Sequence, residues 1–408
     1  MKNKEPEEIL IEKIREIFAQ YGTEITPDEY DKIKFKGKPG RPTLRKYIGT
    51  WQVVRSLAIG ETQNHTSYLK KLNEKLLKDL DRERNKNQII IENCLGAISK
   101  CSFSPANIPP PEKVKYPQEF HALKSDDHVG EKVDPKWVQG VSEYDSGVFK
   151  ERLHAWAHKI ITFRDQDKTS LGLNKLVINF LGDIITGEQV YKGQSFFIEF
   201  SSVDQLFFAF GEYMQVILTL AQNFPQIEIY CTQGNHGRVG KKGESHPRTN
   251  MDYIFYRFLE YALRQQDNVK VYVSESPTMI VRHGDYNFAL NHNDDTRGWN
   301  GIPYYGLDRK ARRLGDLYGM TIHYKLGGHF HSPANLNDET LLNGTMMGGS
   351  DLSVNKMMVA TIPSQKIFYF DRNHGIHRES NLYLADKPVL TADENGIYTA
   401  YTGGIVGK

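Results

Sequence analysis

Lys175-Leu176-Val177-Ile178-Asn179-Phe180-Leu181-Gly182-Asp183 is an apolar run that ends on a glycine and a carboxylate. A short, uninterrupted apolar run closed by a turn signal predicts a buried strand, here with an oxygen ligand in the turn that follows it. The same arrangement recurs outward from this stretch. Asp126-Asp127-His128 follows a strand-like run at 120–124, Gly234-Asn235-His236 follows one at 227–231, His292 follows one at 287–291, and Gly328-His329-Phe330-His331 follows one at 322–326. Taken singly, each has a plain alternative, since a lone Gly-Asp is usually a turn and a lone surface histidine is usually solvated. Taken together and in this order, the segments supply ligands for two metal ions. Ligands at the ends of neighbouring strands converge at one rim of a sheet, where α/β proteins bind substrates.

Carboxylates mixed with imidazoles suit manganese, with iron and zinc as alternatives, and the lack of a cysteine ligand argues against a purely structural zinc site. Two such cations roughly 3.5–4 Å apart activate a bridging water and neutralise phosphoryl oxygens, which is what phosphate-ester hydrolysis needs. The composition places the chain among globular proteins: 408 residues, 39% hydrophobic, 25% charged, net charge +2. No stretch approaches the ~20 apolar residues of a membrane helix, and Met1-Lys2-Asn3-Lys4-Glu5-Pro6 lacks a signal-peptide core, so no membrane association is expected. Cys94, Cys101 and Cys231 are odd in number and form no Cys-x-x-Cys pair, which points to a reducing, cytoplasmic setting.

Ser125-Asp126-Asp127-His128-Val129-Gly130, Leu181-Gly182-Asp183, Gly234-Asn235-His236, His292 and Gly328-His329-Phe330-His331 resemble the five motifs of calcineurin-like metallophosphoesterases, across residues 119–371. The resemblance implies a four-layer α/β sandwich, two mixed β-sheets flanked by helices, with a two-metal centre. By position it implies that Asp126, His128 and His331 hold one metal, that Asp183 bridges both, and that Asn235, His292 and His329 complete the second. His236 would bind no metal and would serve as general acid or as electrophilic partner of the leaving oxygen. The chain departs from the family at Gly237, where an Asp or Glu usually follows the Asn-His pair and orients the histidine.

Three segments are expected: a helical module at 1–62, a long helix and proline-rich linker at 63–111, and the phosphoesterase domain at 112–408. In the first, Ile9, Ile11, Ile14, Ile17 and Phe18 repeat at helical spacing, and Thr26-Pro27-Asp28-Glu29 reads as a capping box. Thr43 is expected to cap a helix through Trp51, Val54 and Leu57, with Gly49 as a kink or break. Leu69, Leu72, Leu76 and Leu80 form one stripe, a candidate homodimer seam within 64–82. Ile108-Pro109-Pro110-Pro111 marks the boundary. Beyond it, strands are expected at 278–282 as well as those above, helices at 148–163, 203–222 and 252–265, and a strand-rich closing layer at 341–383.

Two features bear on the substrate. The loop Thr186-Gly187-Glu188-Gln189-Val190-Tyr191-Lys192-Gly193-Gln194 is similar to the Gly-x-x-x-Tyr-x-x-Gln loop in the exonuclease subunit of the archaeal D-family polymerase, a relative of the SbcD-type nucleases. Those nucleases usually carry a histidine soon after Gly-Asp, and here none occurs between Asp183 and His236. The second feature is the stretch from Lys32 to Gly60, which holds eight basic residues and no acidic one, interleaved with Phe35, Tyr47 and Trp51. Lys36, Lys38, Arg41, Arg45, Lys46 and Arg55 are its candidate DNA contacts, on a turn and helix resembling a helix-turn-helix or the small helical repeat of some homing endonucleases. The alternative is a solvated basic face with Trp51 and Tyr47 in a core. Arg309, Arg312 and Arg313 could also reach a phosphate backbone. The leading expectation is a two-metal DNA nuclease. A hydrolase for a nucleotide or other small phosphoester, with the N-terminal module used for docking or oligomerisation, is the rival. A DNA-binding scaffold with a decayed metal site is a third reading.

Overall fold

The structure, a computed structural model, describes residues 6–22, 24–34, 38–47, 50–58, 73–75, 77–78, 96, 103–138, 140–188, 190–240, 247–296, 302–386, 389–392 and 398–401. The chain divides into two units, Met1–Glu92 and Asn93–Lys408.

The first unit contains α1 (Pro6–Tyr21), α2 (Pro27–Lys32), α3 (Arg41–Tyr47) and α4 (Trp51–Ala58). The Thr26 capping box forms as expected, with Thr26 and Glu29 bonded reciprocally. Ile14, Ile17, Phe18, Ile25, Tyr30, Leu44 and Val54 make its core. Trp51 packs against that core, edge-on to Tyr30 at 4.8 Å, and its Nε1 donates to the Ile25 carbonyl at 3.1 Å. The helix expected to begin at Thr43 begins instead at Arg41, because Leu44 N already bonds the Gly40 carbonyl at 3.0 Å and Pro42 sits in the first turn, where a missing N–H costs nothing. The leucine stripe Leu69, Leu72, Leu76 and Leu80 lies outside the described residues.

The second unit stacks two mixed sheets. In one, β1 (Glu119–Lys124), β2 (Lys175–Phe180), β3 (Gln226–Cys231) and β4 (Val269–Val273) run parallel. The other is ordered β5 (Thr278–His283), β6 (Tyr286–Asn291), β7 (Tyr324–Gly327), β9 (Thr340–Leu342), β8 (Ala334–Leu336), with β6, β7 and β9 parallel. The strands of 341–383 form no layer of their own. β10 (Ser364–Asp371) pairs antiparallel with β1 and β11 (Gly375–Tyr383) with β10, extending the first sheet, while β9 joins the second. A further hairpin, β12 (Val389–Ala392) and β13 (Tyr398–Tyr401), stands apart from both sheets.

Side-chain alternation decides what each face touches. Leu123, Val177 and Leu181 point toward Phe288, Leu290, Leu326 and Leu341 of the second sheet. At about 1.5–3 kcal/mol for each fully buried side chain of this kind, that interface is what joins the sheets. A buried polar cluster lies in it: Glu119 Oε2 meets His283 Nδ1 at 2.7 Å and His121 Nε2 at 3.4 Å, and Glu119 Oε1 takes Arg372 at 2.9 Å. On the opposite face, Phe180 meets Tyr213 and Phe255, from α6 (Ser202–Ala221) and α7 (Met251–Leu263), beside α5 (Ser146–Leu171). Helix α8 (Tyr304–Tyr318) covers the second sheet, its Leu307 and Ala311 lining a small cavity of about 30 Å³ with Ala289 and Leu326. The order helices, sheet, sheet, helix is the four-layer α/β sandwich. Helix α5 outruns its expected 148–163 at both ends because Asp145 caps its start and left-handed Gly172 stops it.

Candidate metal centre

Every ligand-type segment leaves the C-terminal end of a strand: Asp126 after β1, Asp183 after β2, Asn235 after β3, His292 after β6 and His329 after β7. The ligands face one another because the backbone turns sharply there. Asp126, His128, Asp183, His329 and His331 all have left-handed φ values, 55°, 50°, 58°, 76° and 56°. Such backbone is unfavourable for non-glycine residues by roughly 1–2 kcal/mol each and persists only where neighbours enforce it. They do so here. The Asp126 carboxylate accepts His329 N at 3.0 Å, and the Asp183 carboxylate accepts His236 N at 2.7 Å. Gly182, at φ 90°, lets the Asp183 turn lie against Gly234: a Cβ at 182 would run into the Gly234 backbone.

Two clusters result. Ligand atoms of Asp126, His128 and His331 lie within 4.8 Å of one another, and so do those of Asp183, His292 and His329. His128 Nε2 and His331 Nε2 are 3.0 Å apart, with Asp126 Oδ1 3.4 Å from the latter. Asp183 joins the clusters, since it also groups with His128 and His236. The donor chemistry fits divalent cations. His292 Nδ1 donates to the Leu181 carbonyl at 2.6 Å, which turns Nε2 toward Asp183 Oδ2, 2.9 Å away. Asn235 Oδ1 is a buried acceptor with no hydrogen-bond partner, as a metal-facing oxygen would be.

The electrostatics agree. Burial disfavours ionisation of Asp126, yet His331 and His292 hold it down to about 2. Asp183 is buried too, and His292 and His236 keep it well below the ordinary range. Burial and the charge of His292 lower His329 to about 4, and burial holds His128 well below the usual imidazole range. Burial would also lower His292, but Asp183 overcomes it and raises it to about 10. The carboxylates thus favour positive charge where His292 Nε2 points, and a divalent cation there would take the place of a proton.

His236 sits beside these clusters, its ring 4.5 Å from that of His128. With Gly237 behind it, its orienting partner is a backbone oxygen: Nδ1 donates to the Thr186 carbonyl at 2.9 Å. That carbonyl also accepts Gln194 Nε2 at 2.8 Å, and Arg238 reaches the Val190 carbonyl at 2.6 Å, so the 186–194 loop is tied to the histidine it orients. Burial lowers His236, and Asp183 partly offsets this.

Two carboxylates behind the site escaped the sequence reading. Asp252 accepts the backbone N–H groups of Asp183, Gly234 and Ile184 at 2.8, 2.9 and 3.1 Å, holding two ligand turns together. Burial and Asp183 raise it to about 7. Asp127, between two ligands, pairs with fully buried Lys124 and accepts the Tyr213 hydroxyl. The only sequence signals were an N-terminal helix position for Asp252 and the doubled acid at 126–127.

In the N-terminal unit, three of the basic candidates have internal partners. Lys38 Nζ donates to the Tyr30 and Asp31 carbonyls, Arg41 pairs with Asp28 and Asp31, and Arg55 pairs with Glu24. Lys36 and the side chains of Arg45 and Lys46 lie outside the described residues.

No family model and no curated protein matches the chain. Among solved structures it is similar to Vacuolar Protein Sorting 29 from Cryptosporidium parvum, at 13% identity over 65% of this chain and 98% of that one, TM-score 0.27. It is likewise similar to wild-type Vps29 complexed with Zn2+ from Entamoeba histolytica, at 11% identity over 65% and 98%, TM-score 0.24. A conserved uncharacterized protein, a predicted phosphoesterase, from Streptococcus pneumoniae TIGR4 follows at 12% identity over 65% and 98%, TM-score 0.23. Likenesses this distant carry no argument for activity, which rests on the sheet order and the site. Among the described residues no helix is long and apolar enough to cross a membrane.

Proposed function

We propose that the chain is a metal-dependent phosphodiester hydrolase of the calcineurin-like class and that its substrate is DNA. The observation that carries the hydrolase reading is the pair of ligand clusters joined through Asp183, with His236 alongside. When bound, a pair of divalent ions, manganese foremost, supplies the activated water and the neutralised phosphoryl oxygens that phosphoester hydrolysis needs. The chain's own part is positional. Asp126, His128 and His331 on one side, and Asn235, His292 and His329 on the other, fix where the phosphate must lie. His236, held by Thr186 through Nδ1, presents Nε2 to the leaving oxygen.

The DNA reading draws on the 186–194 loop and on the basic N-terminal segment, where Lys36, Arg45 and Lys46 remain candidate phosphate contacts beside Lys38, Arg41 and Arg55. DNA affinity from such contacts falls steeply with salt. The test is manganese-dependent digestion of end-labelled single- and double-stranded DNA, with Asp183→Ala as control. Metal-dependent cutting absent from the variant supports the nuclease. Intact DNA alongside brisk hydrolysis of bis(p-nitrophenyl) phosphate moves the substrate to a small phosphoester.

A further inference from the structure

Several large apolar side chains are exposed on segments tied to one another and to the loop of His331. Phe196 is 80% exposed and Met358 is 83% exposed, and Trp137, Met357 and Val359 are exposed with them. They come from three segments that are bonded together. Trp137 packs edge-on against Phe197 at 5.5 Å, and its carbonyl accepts Asn355 Nδ2 at 2.9 Å. Asn355 ends the helix α9 (Asp351–Asn355), and Val359 N returns to the Ser353 carbonyl at 2.9 Å. Thr361 Oγ1 then donates to the carbonyl of His331, a candidate ligand, at 2.9 Å. The apolar rim therefore adjoins the His331 side of the site.

Charge is interleaved with it. Lys132, Lys136, Lys192 and Lys356 are all exposed on the same segments. The acids nearby are engaged by donors of the protein: Asp134 accepts Lys136 N, Glu188 accepts Ser202 N, Glu199 accepts Ser146 N, and Asp351 accepts Asn355 Nδ2. Two exposed aromatic faces, Trp137 and Phe196, flanked by methionines and interleaved with lysines beside the proposed phosphodiester centre, match the chemistry of a single strand: bases stack on the rings while the backbone follows the charge. We propose that the Trp137–Phe196–Met357–Met358 rim is a stacking track for single-stranded nucleic acid, delivering the scissile phosphate to the metal centre. This rests on the nuclease reading and names its strand path, separate from the N-terminal basic segment.

Steady-state cleavage of a 15-nucleotide oligo-dT by the full chain with Mn2+ tests the track. Phe196→Ala, and Trp137→Ala with Phe196→Ala, should raise KM about tenfold or more while kcat stays within threefold. Phe196→Tyr, which keeps a stacking face, should restore KM. An unchanged KM in both alanine variants, with the wild-type chain cutting normally, overturns the track and leaves the nuclease reading standing. Wild-type chain that leaves the oligonucleotide intact yet hydrolyses bis(p-nitrophenyl) phosphate overturns both.

Discussion

Gly237 lies where the calcineurin-like enzymes that the motifs resemble usually have a carboxylate, and here there is no room for one. A Cβ at 237 would strike Asn250 Oδ1 and come within 2.8 Å of Asp252 N, the residue that braces the Asp183 and Gly234 turns. Gly237→Asp, although it matches the resembled motif more closely, should therefore lower stability by about 1–3 kcal/mol and reduce activity; a gain in turnover would show that His236 lacks an adequate partner. The histidine itself should be separable from metal binding. His236→Ala is expected to keep its metal content, measured by elemental analysis, and lose turnover by about 10²-fold or more. Loss of metal would make His236 a ligand, which its place beside His128 and Asp183 makes a fair contest.

At the scale of elements, the turn after β1 depends on a buried pair. Lys124 and Asp127 are both fully buried, with Lys124 5.7 Å above the Trp156 and Tyr213 rings. Removing one partner strands the other charge, so Lys124→Met or Asp127→Asn alone should cost about 3–5 kcal/mol, and the double variant less than the sum. Additive losses in urea melts would mean that the pair is not coupled. These residues also mark the limit of what the chain's letters disclose. The ligands are legible because each follows a strand-like apolar run, in most segments with a glycine within a few residues. Thr186 and Asp252 are not, since one acts through a carbonyl and the other through backbone N–H groups that no side-chain pattern encodes. The strand β4 was missed for a related reason: Val269-Lys270-Val271-Tyr272-Val273 alternates as a half-exposed edge and lacks the solid apolar run of its neighbours. The basic stretch looks unopposed when read by itself, because the acids that pair with Arg41 and Arg55 lie just upstream of it, at Asp28, Asp31 and Glu24.

For the whole molecule, a cut between residues 92 and 93 is the one that tests what each unit does. A cut at 111–112 would remove Phe103, which packs on Phe210, and Ala106, which bonds Gln266. Residues 93–408 should hydrolyse bis(p-nitrophenyl) phosphate at near full-length rates while losing salt-sensitive DNA affinity; unchanged affinity would make the N-terminal unit a docking element. Acid should act through the sheet interface. Burial opposes ionisation of Glu119, but its hydrogen bonds to His121 and His283 hold its pKa below the unfolded value of 4.5. A depressed carboxylate contributes stability above its unfolded pKa and loses it as pH falls toward the folded one. Glu119→Gln should thus cost several kcal/mol at pH 7, about 3–5 for a broken buried pair, with the gap narrowing below about pH 4. A gap that stays constant from pH 7 to pH 3 would remove the charge from the account.

The candidate ligands come from both sheets. Asp126, His128, Asp183 and Asn235 follow strands of the first, and His292, His329 and His331 follow strands of the second. On the proposed function, a cation held by both would work as a clasp across the interface, so that catalytic competence and the coupling of the layers would share one fastening. Chelation should loosen β5–β9 before it loosens β1–β4, with amide hydrogen exchange rising first around residues 288–292 and 324–329. Slow depletion of the metal would then age the protein from its second sheet inward.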